Sequence, residues 1–522
     1  MGITARQAAL AAGLLAAAVA APSLRNGFVA DDRWVIVERP FLKHPPSVGA
    51  VLREPYWPAG FGGVMWRPVV LASYALDYQL GGNPRWFHAM NVLWAGVAAA
   101  LLALLACRLA DPATGLAAGL LFAVHPVHVE AVANVVGRTE LMAAAGYAAA
   151  LLCALRAQQR PVYLVGVALA ATFAISCKEH AATLPAAVVL VYLGSRAGWR
   201  AAVRPAAVAA LPIVGYFVVR ALIGQPMLSA GGLAPGLGGL GVAARAWAML
   251  PLSLEWWRLL LFPAHLSADY SPGDVVVSTG LTARHVLGML AWAGAGWAAW
   301  RWRSAVPGVA IGLAWMIVTV SPVANILVPT ELLLAERTLY LPSWGIAFAL
   351  GAAGTALRWP ARWRITLLAA VVALGAARSV ARVSVWHDDE THFQALTRNA
   401  PRSYRTLWLV GKDEFQAGRW GTGERLLRTA IAVAPQIAGP RLDLARFYGG
   451  AGLWKPAVDQ LRAATAVDSA LVPAWVLLPR ALLAGGDTTA AVDAAREALR
   501  RFPDNRDVAD SAAAVLAAAR RR

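Results

Sequence analysis

Long apolar runs separated by short polar segments fill the first three quarters of the chain. Runs near Gln7 to Leu24, Asn91 to Cys107, Ala113 to Val124, Leu141 to Leu155, Val162 to Cys177, Ala181 to Leu193, Pro205 to Val219, His285 to Ala299, Ala305 to Val328, Leu339 to Leu357 and Ile365 to Ala377 contain no Asp, Glu, Lys or Arg. They predict an all-α polytopic membrane protein with about 11 transmembrane helices. Several runs fall short of the roughly 20 residues a straight span needs, so flanking residues must join them, above all at Ala113 to Val124. The first run follows a lone Arg6, as a signal peptide would, but ten further runs make it an uncleaved first span. Trp247 to Phe262 is apolar too, yet Glu255, Arg258 and the Trp256-Trp257 pair suit a helix lying in the interface.

From about Ser403 the pattern changes to charged, Leu/Ala-rich helix with an internal period. Gly418, Gly452 and Gly486 are spaced by 34, as are Pro435, Ser469 and Pro503. The matched segments FQAGRWGTGERLLRTAIAVAP, YGGAGLWKPAVDQLRAATAVDS and LLAGGDTTAAVDAAREALRRFP each read as helix, glycine turn and second helix. This is the pattern of the tetratricopeptide repeat, whose units bury their apolar faces only against neighbours and form a groove suited to peptide segments. The predicted division is a transmembrane domain over 1–382, with a first outer loop at 25–90, a linker at 383–402 and a repeat domain at 403–522.

Composition agrees with a bilayer: 59% of residues are hydrophobic and 15% charged, and the mean hydropathy is +0.54. A net charge of +18 would suggest nucleic acid in a soluble protein. Here the arginines sit in short tracts between apolar runs, which excludes nucleic acid as the partner and points to membrane lipid. With a cytoplasmic N-terminus, the inside segments hold Arg6, Arg108, Arg156, Arg160, Arg196, Arg200, Arg204, Arg301, Arg303, Arg358, Arg362 and Arg364 against one acid, Asp111. The outside segments collect Asp31, Asp32, Glu130, Glu140, Glu179, Asp269, Asp274, Glu331 and Glu336, and an odd span count puts the repeats outside. Cys107, Cys153 and Cys177 lie in or at the ends of apolar runs without CxxC spacing, so they read as packing residues.

The polar residues at the outer ends of the spans form the candidate site. Asp31-Asp32 stand just beyond the first span and are followed by the Trp-rich REPYWPAGFGGVMWRPV, containing Arg67, and by NPRWFHAMN, containing His88. An acidic pair at a bilayer edge suits an inverting glycosyl transfer from a lipid carrier: one carboxylate takes the acceptor's proton while cations hold the leaving phosphate. The plainer reading of such a pair is a solvated turn or a helix cap. His125, His128, Glu130, Arg138 and Glu140 follow the third span, Lys178, Glu179 and His180 the fifth, and Glu336-Arg337 precede the tenth, all on the face of Asp31. A transporter would place such groups nearer the midplane of its helices. HPVHVE has the residue types of a metal motif, but Pro126 interrupts the helix that would align them, so metal is not favoured. Arg138 and Arg337 could anchor at head groups and Lys178 could pair with Glu179; as phosphate contacts, Arg138, Lys178 and Arg337 supply the several donors a phosphate needs.

The stretches RPVVLASYALDYQLGGNPRWFHAMNVL, HPVHVEAVANVVGRTELMA, CKEHAATLPA and AERTLYLPSWG, in this order and followed by the repeats, resemble the transmembrane and tetratricopeptide-repeat-containing O-mannosyltransferases. The resemblance implies the type C glycosyltransferase fold and, more distantly, similarity to protein O-mannosyltransferases. It also implies transfer of a sugar, mannose in that family, from a polyprenyl phosphate to Ser or Thr hydroxyls of an outer-side protein. Carried onto this sequence, one of Asp31 and Asp32 is the base, and Gly137-Arg138, Cys177-Lys178-Glu179 and Glu336-Arg337 line the donor site. The lipid-linked sugar is then a co-substrate, with no cofactor expected. Two features depart from the family: the repeat array is short, and the Arg- and Ala-rich composition looks bacterial, favouring an undecaprenyl carrier in an inner membrane. The alternatives from other classes are a noncatalytic membrane scaffold whose repeats organise envelope proteins, and a polysaccharide ligase or flippase-like partner using diphosphate-linked oligosaccharide.

Overall fold

The computed structural model describes residues 2–45, 47–58, 65–225 and 234–521. Among these the chain is helical, with one isolated bridge, Pro272 to Val275, in place of any sheet. It divides into two compact units, Met1–Ala268 with Val277–Asn399, and Asp269–Val276 with Ala400–Arg522.

The first unit contains, in chain order, α1 (Ala5–Ala20), α2 (Pro40–Lys43), α3 (Val48–Arg53), α4 (Pro68–Leu80), α5 (Pro84–Leu109), α6 (Pro112–Ala123), α7 (Val129–Ala133), α8 (Arg138–Ala157) and α9 (Tyr163–Cys177). It continues with α10 (Leu184–Gly194), α11 (Trp199–Leu222), α12 (Val242–Met249), α13 (Ser253–Leu261), α14 (Ala283–Trp302), α15 (Pro307–Val320), α16 (Tyr340–Ala356), α17 (Ala361–Val383) and α18 (Asp389–Asn399). Each apolar run of the sequence contains a helix, and the protein is a multi-pass membrane protein. Among the described residues five helical stretches, 5–25, 84–109, 135–157, 199–222 and 361–386, are long and apolar enough to cross a bilayer on their own. The pair α6 and 126–133 is long and apolar enough only when taken together, and it is bent by 52° where Val124, His125 and Pro126 interrupt the helix. Three further apolar helices, 163–177, 179–194 and 307–323, are shorter, so the expected count of eleven full spans is not reached by length alone. Trp247 to Phe262 holds the end of α12 and the whole of α13, helices of eight and nine residues.

Small residues bring these helices together. Gly13 of α1 and Gly96 of α5 face one another so closely that a Cβ on either would lie about 3 Å from the other's carbonyl oxygen. Gly312 of α15 and Gly345 of α16 make a still closer pair. Between apolar helices in lipid, such backbone approach supplies the dispersion contacts that hydrophobicity cannot. Trp315 and Trp344 fill the core beside it, their indole N–H groups donating to Leu341 and Leu102 carbonyls. Exposed Val165, Leu169, Leu211, Val214, Leu287, Leu290, Ile365 and Leu374 mark the lipid-facing surfaces.

The outer segments are folded rather than loose. The first outer loop packs α2, α3 and α4 around Val35, Ile36, Leu42, Tyr56, Tyr74 and Phe87; residues 59–64 of its Trp-rich stretch lie outside the described residues. The segment expected as a linker from 383 is instead part of the first unit as far as Asn399, because Val383 and Trp386 are buried against Val29, Val129 and Ala133.

The second unit is a stack of helix pairs: α19 (Tyr404–Gln416) with α20 (Trp420–Val433), α21 (Gly439–Gly450) with α22 (Trp454–Val467), and α23 (Val472–Ala484) with α24 (Thr488–Arg501), closed by α25 (Arg506–Ala519). Gly418, Gly452 and Gly486 turn each pair with φ of +76°, +74° and +90°, the left-handed conformation glycine adopts without penalty. Asp269–Val276, from the stretch between α13 and α14, belongs to this unit. Pro272 accepts the Tyr404 N–H, Asp274 accepts the N–H groups of Arg402 and Ser403, and the Ser403 hydroxyl donates to Asp269.

Candidate functional site

The acidic pair splits into two different environments. Asp32 is fully buried, and its carboxylate accepts three backbone N–H groups: Val29 at 3.2 Å and Val135 at 3.1 Å on Oδ2, and Val136 at 2.8 Å on Oδ1. It therefore staples the first outer loop to the turn that follows α7. Burial pushes this carboxyl up to about 7, against the pull of the three N–H donors. Asp31 is different: its side chain is 33% exposed, and its Oδ2 lies 3.6 Å from Arg337 Nη2.

Arg337 is the centre of the outer charges. Glu130, itself buried, receives the Arg337 backbone N–H at 2.9 Å and its Nη1 at 2.8 Å, so one carboxylate fixes both the main chain and the fork of the same arginine. Burial opposes the Arg337 charge, but Glu130 and Asp31 outweigh it and raise its pKa. Around this centre, Lys178 pairs with Glu140, whose other oxygen is 3.5 Å from His180 Nδ1. Glu179 accepts Arg67 at 2.8 Å on Oε2 and Arg220 at 3.4 Å on Oε1. Arg67 lies 4.8 Å over the Tyr56 ring. Lys178 and Glu179, adjacent in sequence, thus take different partners instead of each other. The Lys178 charge is disfavoured by burial and by Arg67 and Arg337, which together lower its pKa.

This cluster has a polarity. At one end two guanidinium groups, Arg67 and Arg220, share the single carboxylate of Glu179, leaving an excess of positive charge. At the other, Arg337 is shared by two carboxylates, Glu130 and Asp31, leaving an excess of negative charge on the more open acid. An anionic group is favoured at the first end.

Several expected ligands lie elsewhere. Arg138 is not a surface phosphate contact: it is completely buried, donating to Asn91 at 2.8 Å, Ser73 at 3.2 Å and the Phe87 carbonyl at 2.9 Å and pairing with Asp77. His88 is equally buried and bonds the Gly27 carbonyl at 3.0 Å. Glu336 is buried beneath Arg337, accepting the Ser267 N–H at 2.6 Å. His125 and His128 turn inward, to the Leu260 carbonyl and Ser343, and line a cavity of about 30 Å³ with Ala16, Phe122, Tyr340 and Ser379. With Glu130 on Arg337, the HPVHVE side chains diverge to separate partners, and no group of three metal-type ligands occurs among the described residues.

Residues missed by sequence reasoning include Tyr56, Asp77, Arg220 and Asp389. Asp77 was visible as a single acid in the apolar SYALDYQL, and Asp389 as half of a second Asp-Asp pair. Tyr56 and Arg220 gave no local signal.

Comparison with known proteins places this geometry in context. Residues 68–224, from α4 to just beyond α11, match the family of dolichyl-phosphate-mannose-protein mannosyltransferases. The protein O-mannosyl-transferase Tmtc1 of Drosophila melanogaster is 26% identical over 529 residues, covering 81% of this chain and 61% of that protein. Over most of its length the chain is thus similar to a protein O-mannosyl-transferase. A second relative, F38B6.6 of Caenorhabditis elegans, is 24% identical, covering 83% of this chain and 59% of its own length. The chain thus spans about six-tenths of each of these relatives. An apo oligosaccharyltransferase from Archaeoglobus fulgidus aligns over 78% of this chain and 59% of its own, at 12% identity and a TM-score of 0.41.

Proposed function

We propose that this protein transfers a sugar, mannose in the first instance, from a polyprenyl phosphate to a hydroxyl group of an outer-side acceptor. Asp31, half-exposed and set against Arg337, is the base. It removes the acceptor hydroxyl's proton as the oxygen forms its bond to the anomeric carbon. The bond from that carbon to the phosphate oxygen breaks, and the electron pair leaves on the polyprenyl phosphate, with inversion. The excess positive charge at Arg67 and Arg220, with Lys178 nearby, holds the leaving phosphate. Arg337 orients Asp31, while Glu130 and Glu140 hold Arg337 and Lys178 in place. Asp32 anchors the loop and takes no part in proton transfer. No metal is required by this scheme.

The single observation that carries the reading is the contrast within the pair: one carboxylate consumed by three backbone N–H groups, the next open beside a fixed arginine. The Arg-rich inside segments favour a cytoplasmic N-terminus and periplasmic repeats in a bacterial inner membrane, with undecaprenyl phosphate as carrier and the repeats recruiting a protein or glycan acceptor. The test is transfer by purified protein in detergent, supplied with radiolabelled polyprenyl phosphate mannose or glucose and an envelope extract. Label entering a product supports the reading and identifies the donor. No transfer from either monophosphate, with transfer from a diphosphate-linked oligosaccharide, overturns it.

A further inference from the structure

The residue before the candidate base has a strained backbone. Ala30 has φ of +52°, in the left-handed region that a Cβ disfavours. Non-glycine residues persist there only when their surroundings hold them. Much of the hold comes from the end of the last long apolar helix and the segment that follows it. The Ala30 N–H donates to Asp389 Oδ1 at 3.0 Å, the Gly27 N–H donates to the His387 carbonyl at 2.8 Å, and Asn26 Nδ2 reaches the Val383 carbonyl at 3.4 Å. Val29 is packed against Val383 and Trp386.

Within this segment the two acids divide their work. Asp388 caps the turn, accepting the Thr391 N–H at 2.8 Å and its hydroxyl at 2.8 Å. Asp389, in the first turn of α18, is thereby left to face the loop. Arg382, four residues before Trp386, stands 3.8 Å from Glu336, the neighbour of Arg337. One segment therefore touches both strands of chain that bear the Asp31 and Arg337 pair.

We infer that Asp389 is a positioning residue for sugar transfer: by accepting the Ala30 N–H it holds the left-handed turn that aims Asp31 at the acceptor hydroxyl. The inference rests on the proposed role of Asp31. Without the tether, Ala30 relaxes toward right-handed or extended backbone and Asp31 swings with it.

The experiment uses the full-length protein in detergent with three variants: Asp389→Ala, Asp389→Asn, and Asp389→Ala combined with Ala30→Gly. Two quantities are read for each, the steady-state constants for mannose transfer and hydrogen exchange of the Asp32 and Arg33 amides. Those amides are bonded across the turn to the carbonyls of Val29 and Ala30. Asp389→Ala is expected to lower kcat by about five- to thirtyfold, the population cost of a left-handed alanine, with KM for the lipid donor unchanged. It also speeds exchange of the two amides. Asp389→Asn, which keeps an acceptor oxygen, retains both properties. Ala30→Gly, which removes the strain, restores kcat and protection to the Asp389→Ala protein. A merely structural contact predicts no rescue by a glycine. The inference is overturned if Asp389→Ala leaves both readouts at wild-type values, or if Ala30→Gly restores neither. If the wild type transfers no sugar, the proposed activity fails, and the exchange measurement still decides whether Asp389 holds the turn.

Discussion

Arg337 stands between Glu130 and Asp31, its Nη1 2.8 Å from the first and its Nη2 3.6 Å from the second. The buried carboxylate holds the arginine, and the arginine holds the open one. Replacing Arg337 by Met leaves Glu130 charged and unpaired in the interior, at a cost of about 3–5 kcal/mol in stability. Pairing Arg337→Met with Glu130→Leu is expected to return most of that stability without returning transfer. Thermal unfolding in detergent and the transfer assay, run on the same preparations, separate the two roles.

The Arg138 and Asp77 pair supports the fold from beneath. Asp77→Ala is expected to cost about 3–5 kcal/mol, since Arg138 then keeps a buried charge without its counter-ion. Among molecules that remain folded, KM for the lipid donor should not change. A donor KM that rises severalfold would restore Arg138 to the phosphate site.

Asp32→Asn tests the staple. An amide nitrogen cannot accept an N–H, so at least one of the three backbone bonds becomes a donor facing a donor. The expected loss is about 1–3 kcal/mol, read as a lower unfolding midpoint.

His392 gives the first unit a pH dependence. Burial, with the charge of Arg382 adding to it, lowers its pKa from 6.5 to about 4. The unfolded chain therefore takes up a proton between pH 6.5 and 4 that the folded protein refuses. Stability contributed by neutral His392 is complete above pH 6.5 and is lost as pH falls through that window. His392→Gln, which does not titrate, should flatten the fall in unfolding midpoint between those values.

Much of this architecture was legible in the sequence because its signals are local. An apolar run predicts a helix wherever it falls, and the 34-residue spacing of Gly418, Gly452 and Gly486 marks three turns that only a left-handed residue makes easily. Span length was less legible: Pro126 bends the third run, and α9, α10 and α15 stop short. The outer residues were found as a set, but their roles were not, because role depends on partners distant in sequence. Nothing near Arg138 announces Asp77, 61 positions away. Nothing near Asp32 announces the Val135 and Val136 amides, over 100 positions on. The segment from 383 read as a linker, whereas Val383 and Trp386 are buried against Val29 of the first outer loop and against Val129 and Ala133.

The most direct measurement is the transfer rate of the Asp31→Asn protein at saturating polyprenyl phosphate sugar. The account predicts a kcat lower by on the order of 100- to 10,000-fold, the usual contribution of a general base, with donor KM and unfolding midpoint close to wild type. An Asp31→Asn protein that transfers sugar at the wild-type rate would contradict it.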